Sequence, residues 1–372
     1  MSLIHIDAGR EWRGGQRQSF FLVKELQKKG FPVFFVVQPG SPLQKKAVQG
    51  GISVVPLKIR NEFDLFAIIR LAILMKQKKC KLVHFHDAHS VAVGSLAASM
   101  AKIPLRIISR RVDFPLRKNI FSRKKYRKDI DAIIAISNGV KNVLIKGGIN
   151  SSKIKVIPSG IDFSPYMKPS SQSYLHDELS FKKKDYIVGI VAHLADHKGH
   201  KYLLNAAKLL REQAPGIKIV IVGKGPLEMK LKKQSKNSHI DDIVYFLGYR
   251  DDIPRILRSL DLFVLSSYLE GMGSTILDAM ACQLPVVATC VGGIPEVVIH
   301  NKTGLLVSPR NPSALAKAIL KLYKDRKFAR QLGRNGFKIV YDNYSAEVMA
   351  LRAIDLYKKI ARKKGIELDG AN

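Results

Sequence analysis

Glu270 and Asp278 stand eight positions apart in the stretch SSYLEGMGSTILDAMACQLPVVATCVGGIPEVV, which runs from Ser266 to Val298. The apolar run Leu262–Leu265 just before it has the character of a buried strand, and Ser274 to Ala281 that of the helix that follows. Between them a missing Cβ at Gly271 and Gly273 lets backbone amides approach a ligand, and the first N–H groups of a helix have no partner inside it. Gly271, Met272, Gly273, Ser274 and Thr275 together therefore offer a seat for an anion, and a diphosphate suits it. Asp278 lies about one helical turn beyond Ser274 on the same side, where its carboxylate can accept hydrogen bonds from sugar hydroxyls, while Glu270 on the loop can grip a second set. The competing reading is a strand-turn-helix unit whose acids only favour a helix start.

The elements that must position these groups alternate, strand and helix, twice along the chain, which predicts an α/β protein with two parallel-sheet domains. The first set of strand candidates is Leu3–Ile6, Pro32–Val37, Ser53–Leu57, Lys81–Phe85, Leu105–Ser109, Ala132–Ile136 and Lys155–Ile157, with amphipathic stretches such as Gln18–Lys28 and Asp64–Lys76 between them. Pro165–Asp185 lacks periodic hydrophobics and reads as a linker. The alternation restarts with Tyr186–Val191, Lys218–Val222, Ile243–Leu247, Leu262–Ser266 and Val286–Ala288, and a helical pattern closes the chain from Ser345 to about residue 364. A chain of 372 residues with 46% hydrophobic content suffices for two domains with separate cores.

Composition narrows the partners. The 63 Lys and Arg against 30 Asp and Glu leave a formal charge of +33, which implies an anionic partner. The densest patch runs from Arg106 to Lys128: Arg106, Arg110, Arg111, Arg117, Lys118, Arg123, Lys124, Lys125, Arg127 and Lys128, opposed only by Asp113, with Phe114, Leu116, Ile120 and Phe121 interleaved. Such a mixture suits an anionic bilayer surface or the phosphates of a nucleic acid; the bland alternative is a solvated lysine-rich surface. No apolar run reaches membrane-spanning length and no secretion signal opens the chain, so a cytoplasmic location is expected. Cys80, Cys282 and Cys290 show neither a disulfide framework nor zinc spacing. His84, His86 and His89 are close in sequence, but no cysteine or carboxylate constellation completes a metal site around them, and Asp87 alone is not enough.

The Ser266–Val298 stretch resembles the signature of the retaining family 4 glycosyltransferases (glycosyl transferases group 1) of GT-B fold. That signature is an acid, seven spacers and a second acid, then Ala-Met-Ala and later Gly-Gly-x-x-Glu; here Asp278 stands where Glu is usual. The resemblance implies two Rossmann-like doubly wound domains facing a central cleft: residues 1–165 binding the acceptor, residues 166–344 binding a nucleotide-sugar, and residues 345–372 as a helix crossing back toward the first. It implies that Gly14 and Gly15, in the loop after the first strand, lie against the donor phosphate and the acceptor, and that a lysine at the end of the Val191–Gly199 loop neutralises the leaving diphosphate. Lys198 and Gly199 match, whereas His193 occupies a position usually held by Arg and brings a hydrogen bond without the fixed charge. Gly223 and Gly225 fit the loop bordering the nucleotide, and Tyr249, Arg250 and Asp251 lie where the base commonly docks.

On the acceptor side the resemblance places Trp12, His86 and Arg111. Trp12 is the only tryptophan and suits either stacking on a sugar or anchoring the loop. Arg111 stands where many relatives have a histidine and cannot act as a base, so acceptor activation falls to Asp113, another group or the leaving phosphate. The implied activity is metal-independent transfer of a sugar to an acceptor hydroxyl with retention, with no cofactor beyond the nucleotide-sugar. Catalytic roles go to Lys198, Glu270 and Asp113, and Asp278 holds the ribose. A glycan or lipid-linked acceptor, as in lipopolysaccharide or other cell-surface glycan assembly, is expected, with the enzyme peripheral on the inner face of the membrane. Two rivals stand beside it. A GT-B sugar-nucleotide epimerase would bind the same donor without an acceptor. A non-catalytic nucleic-acid-binding protein would explain the charge but not the Glu270–Asp278 pattern.

Overall fold

Short runs of Val, Ile, Leu and Phe between glycine-containing or charged turns become parallel strands covered on both faces, which is why they are almost continuously apolar. The computed structural model describes residues 2–115, 126, 129–167, 171 and 173–368. The chain divides into two units, residues 1–160 with 345–372, and residues 161–344.

In the first unit the strands are β1 (Ser2–Asp7), β2 (Val33–Val37), β3 (Val54–Pro56), β4 (Cys80–Phe85), β5 (Leu105–Arg110), β6 (Ala132–Ala135) and β7 (Ile154–Val156), in the order β3-β2-β1-β4-β5-β6-β7. Helices α1 (Gly14–Lys28), α2 (Pro42–Gln49), α3 (Leu65–Gln77), α4 (Ala88–Met100) and α5 (Asn138–Lys146) connect them. Their starts are written locally. The Asp64 carboxylate accepts from the Ala67 amide at the head of α3, and Asp87 and Ser90 form a reciprocal capping box on α4.

The second unit repeats the plan with β8 (Tyr186–Val191), β9 (Ile217–Val222), β10 (Val244–Gly248), β11 (Leu262–Leu265), β12 (Val286–Thr289) and β13 (Leu305–Val307), ordered β10-β9-β8-β11-β12-β13. Here α6 (His200–Gln213), α7 (Glu228–Asn237), α8 (Ser274–Ala281), α9 (Pro312–Lys324) and α10 (Arg326–Asn343) cover the sheet. In each unit the chain begins at a central strand, works outward to one edge and then resumes on the other side. The order therefore reverses between β1 and β4 and between β8 and β11, and loops at the carboxyl ends of those pairs diverge to leave a crevice.

The final helix, α11 (Ala346–Lys363), belongs to the first unit and lies on α1, burying Met349, Ala350, Ala353, Ile354, Leu356 and Tyr357. Gly160 permits this return: a Cβ there would fall 2.7 Å from the Ala346 Cα.

Two sequence expectations change. The described residues of the supposed linker at 165–185 are built into the second unit, where Leu175 is buried and Arg258 donates to the carbonyls of Pro165 and Tyr166. Tyr174 and Glu178 from the same segment hold Arg250 in a cluster closed by Asp252, with Arg250 Nη1 2.5 Å from Glu178 Oε1 and Nη2 2.7 Å from Asp252 Oδ2. Polar composition there reflects side-chain bonding rather than freedom. Strand β13 is also additional to the expected set; three residues are too few to show a period. Of the basic patch, Leu116, Arg117, Lys118, Ile120, Phe121, Arg123, Lys124, Lys125, Arg127 and Lys128 lie outside the described residues.

Candidate functional site

The reversal between β8 and β11 brings two loops from distant sequence together. Lys198 ends a short 3-10 turn after β8, and its Nζ lies 2.5 Å from Glu270 Oε2, on the loop after β11. Ser267 Oγ donates to the same carboxylate oxygen at 3.1 Å, and Ser266 Oγ donates to the Lys198 carbonyl at 3.1 Å. Both charged side chains are partly accessible, at 20% for Lys198 and 12% for Glu270, so a ligand can reach them.

Close approach of the loops depends on glycine. Gly199 has φ 69°, and a Cβ on it would stand 2.0 Å from the Ser266 carbonyl oxygen. Gly223 and Gly225, after β9, press in the same way on the backbone of Ala192 and Leu194 beside His193. These glycines thus fit the loops of the second unit against one another.

At the head of α8, Gly273 is the N-cap with φ 76° and no side-chain cap. Ser274 and Thr275 are half-buried at the first helical positions, while Gly271 and Met272 are buried, so Met272 offers the site its backbone and gives its side chain to the core. Asp278 is also buried, and its Oδ1 accepts from the Tyr166 hydroxyl at 2.8 Å. A ribose at Asp278 would compete with that phenol. Arg250, expected near a base, is consumed by the cluster with Glu178 and Asp252, and Tyr249 hydrogen-bonds Asp251.

In the first unit the loop after β1 is fixed by two carboxylates. Asp7 accepts from the Gly9 amide, Gln16 Nε2 and Ser19 Oγ, and Asp87 Oδ2 accepts from the Ala8 amide at 2.6 Å. Gly14 and Gly15 start α1, with Gly15 beside the Arg111 side chain. Trp12 is a loop anchor rather than a free stacking platform: it packs edge-on to Phe20 at 6.1 Å, and Lys46 lies 5.1 Å over its ring. A cavity of about 370 Å³ opens at the carboxyl ends of the central strands, lined among others by Gly9, Arg10, Gln38, Arg60 and His89.

His86 and Arg111 meet behind this loop. Arg111 donates to His86 Nδ1 at 3.0 Å and to the His86 carbonyl at 3.2 Å. A guanidinium only donates, so His86 Nδ1 accepts and its proton sits on Nε2, which donates to His5 Nδ1 at 2.9 Å. His84 is held by the Tyr357 hydroxyl at 2.6 Å and Ser109 Oγ at 2.8 Å. Burial, reinforced by Arg111, holds His5 down to about 3, and burial with the neighbouring imidazoles and Arg111 holds His84 and His86 well below the usual range. Burial also lowers Arg111 to about 10, against the pull of Asp7, Tyr357 and Asp87.

Among the described residues, His5, His84 and His86 are the one group whose ligand atoms lie within 4.8 Å of each other. Both ring nitrogens of His84 and His86 are already engaged, and a cation would sit beside Arg111, so the donor set suits a hydrogen-bonded relay better than a metal. His89 stands apart on the surface at the start of α4. Asp113 is buried just after β5. His5 and Tyr166 carry no signal in the sequence, because each is a lone polar residue whose partner lies 81 or 112 positions away; Ser267 is three positions from Glu270, but only the turn of the loop brings its hydroxyl to that carboxylate.

Residues 172–339 match the family model described as glycosyl transferases group 1, and residues 12–164 match that of glycosyltransferase family 4. UDP-Gal:alpha-D-GlcNAc-diphosphoundecaprenol alpha-1,3-galactosyltransferase of Escherichia coli is 28% identical over 363 residues, covering 91% of this chain and 94% of the relative. N-acetyl-alpha-D-glucosaminyl L-malate synthase of Bacillus anthracis is 25% identical over 358 residues, 92% of each chain. Among solved structures, Anabaena Alr3699/HepE in complex with UDP-glucose superposes with a TM-score of 0.86 at 21% identity, over 96% of this chain and all of that one.

Proposed function

The chain belongs to the group 1 glycosyltransferases of family 4, with the GT-B fold, and on that ground we propose that it moves a sugar from a nucleotide-sugar to an acceptor hydroxyl with retention at the anomeric carbon. The observation that carries this reading is the Lys198–Glu270 pair beside the glycine-capped start of α8. Departure of the nucleotide leaves growing negative charge on its diphosphate. Lys198 and the first amides of α8 meet that charge, and a preorganised cation in a partly desolvated site accelerates such a step more than it favours the ground state. With the lysine in that role, no metal is required. Glu270, held by Ser267, orients the donor sugar once the diphosphate takes over Lys198. Asp278 holds the ribose by exchanging its bond from Tyr166.

The first unit carries the acceptor side, where the Arg111–His86–His5 relay sets Arg111 beside Gly15, and Asp113 or the leaving phosphate takes the acceptor proton. Retention follows the family. The Escherichia coli relative's name gives an acceptor carried on diphosphoundecaprenol and the Bacillus anthracis relative's gives L-malate. The surplus of 33 positive charges favours the lipid-linked class, and with it cell-surface glycan assembly by an enzyme peripheral on the inner face of a membrane.

Thermal-shift measurement with UDP-, GDP-, ADP- and CMP-sugars, with and without EDTA, tests the donor assignment, because a ligand bound only by the folded state raises the melting temperature. One nucleotide-sugar should stabilise the protein equally with EDTA present. Lys198→Ala should lose part of that stabilisation while its kcat falls by about 100-fold or more; unchanged turnover would sink the diphosphate role.

A further inference from the structure

Helix α3, LFAIIRLAILMKQ, is apolar on both sides. Its inner face buries Ala67, Ile68, Leu71, Ala72 and Met75 in the first unit. A helix in that position ordinarily turns charged residues outward, but here the outer face presents Leu65 at 70% exposure, Phe66 at 73%, Ile69 at 48% and Ile73 at 49%, and Phe63 just before the cap is 85% exposed. Phe66, Ile69 and Ile73 follow one another at helical spacing and form a single stripe. At about 200 Å² for each fully open large apolar side chain, the five residues expose roughly 600 Å², at the upper limit of what a soluble monomer shows. The adjacent α4 contains no Lys, Arg, Asp or Glu and adds exposed Leu96 and Met100.

Cations surround this face. Lys58 and Arg60 precede it, Arg70 and Lys76 lie on the helix, and Lys78 and Lys79 follow, all exposed. There is no acid from Leu65 to Gln77; of the two before it, Glu62 is half-buried and Asp64 is committed to the amides of Arg60 and Ala67. Thirteen residues span about 20 Å, too short to cross a bilayer but suited to lying in its interface. Consistently, among the described residues no helix is long and apolar enough to cross a membrane.

We propose that the outer face of α3, with Phe63, docks this protein on an anionic lipid bilayer, the apolar stripe entering the acyl boundary and the flanking Lys and Arg meeting lipid phosphates. Charge chooses the occupant: a second copy would bring another +33 to the same face, whereas an anionic surface neutralises it. This rests on the peripheral location proposed above and names the surface responsible. It is independent of the donor chemistry.

Sedimentation of the full chain with phosphatidylglycerol/phosphatidylcholine vesicles tests it, alongside the triple variant Phe63→Ser, Phe66→Ser, Ile69→Ser. The wild type should bind, and the variant should bind at least about tenfold more weakly, since each large apolar group removed lowers partitioning, with an unchanged melting temperature. Should the triple variant misfold, Phe66→Trp decides: its fluorescence should shift to the blue on vesicles. A wild type that ignores vesicles overturns the peripheral location itself. Equal binding by wild type and folded variant, or no blue shift, overturns only the surface. Light scattering that shows a wild-type dimer converted to a monomer by the triple substitution would assign the face to a second copy and overturn the proposal.

Discussion

Neutral imidazoles beside a guanidinium make the first unit sensitive to acid. His5, His84 and His86 are held uncharged in the fold by burial, and His200 in the second unit is lowered to about 4 mainly by burial, with Lys198 adding to it. Unfolded histidine titrates near 6.5. Above that value the groups are neutral in both states and the stability is intact. As pH falls, the unfolded chain takes up protons that the fold refuses, so stability is lost from about 6.5 downward until the folded values are reached, by about 1.4 kcal/mol per pH unit for each histidine. Urea midpoints at pH 7.5, 6.5 and 5.5 should fall slightly over the first interval, where the unfolded histidines begin to protonate, and steeply over the second, before most carboxylates titrate. A flat profile from 6.5 to 5.5 would show that the histidines protonate within the fold. At this scale the sequence exposes residue types but not their meetings. His86 and Arg111 stand in recognisable positions, while His5 is one histidine in an apolar strand, and its role appears only when β1 pairs with β4.

Glycine marks where elements touch, and Gly199 is the sharpest case. Its positive φ disfavours any side chain, and an added methyl would collide with the Ser266 carbonyl, which is backbone and cannot swing away. Gly199→Ala should therefore cost about 2–4 kcal/mol from the combined backbone and overpacking penalties, or push the loop after β8 outward and separate Lys198 from Glu270. Either outcome lowers the melting temperature or kcat, and an alanine variant with both unchanged would mean the loops are not locked together. Most elements were legible, because strands buried on both faces have apolar runs and helices have caps, as at Asp64 and Asp87. The linker reading of residues 165–185 fails where they are described, because Tyr166, Tyr174 and Glu178 are fixed by Arg258, Asp252 and Arg250, and such bonds leave no hydrophobic period to betray the packing. The outer face of α3 was likewise hidden: a stretch read as amphipathic from Asp64 to Lys76 proves apolar on both sides, and only accessibility separates the two.

At the scale of the whole molecule, charge and apolar surface act over different distances, and binding kinetics can tell them apart. The +33 surplus attracts an anionic surface from beyond contact, a reach of about 30 Å at 0.01 M salt that shrinks to about 8 Å at 0.15 M. Phe63, Phe66 and Ile69 act only once they are inside the boundary, and their transfer from water is not screened by salt. Association with phosphatidylglycerol vesicles should therefore slow by about tenfold or more between those two ionic strengths, while dissociation of the wild type changes much less. Replacing the three apolar residues should have the opposite effect, leaving association nearly as fast and accelerating dissociation. If salt instead governs dissociation and the apolar variant leaves at the wild-type rate, the protein is held by charge alone. The surface would then have to be sought among the lysines and arginines rather than on α3. The count of charges is visible in the sequence, but what converts a passing attraction into a stay is the exposure of five apolar side chains, which depends on which face of α3 the sheet already occupies.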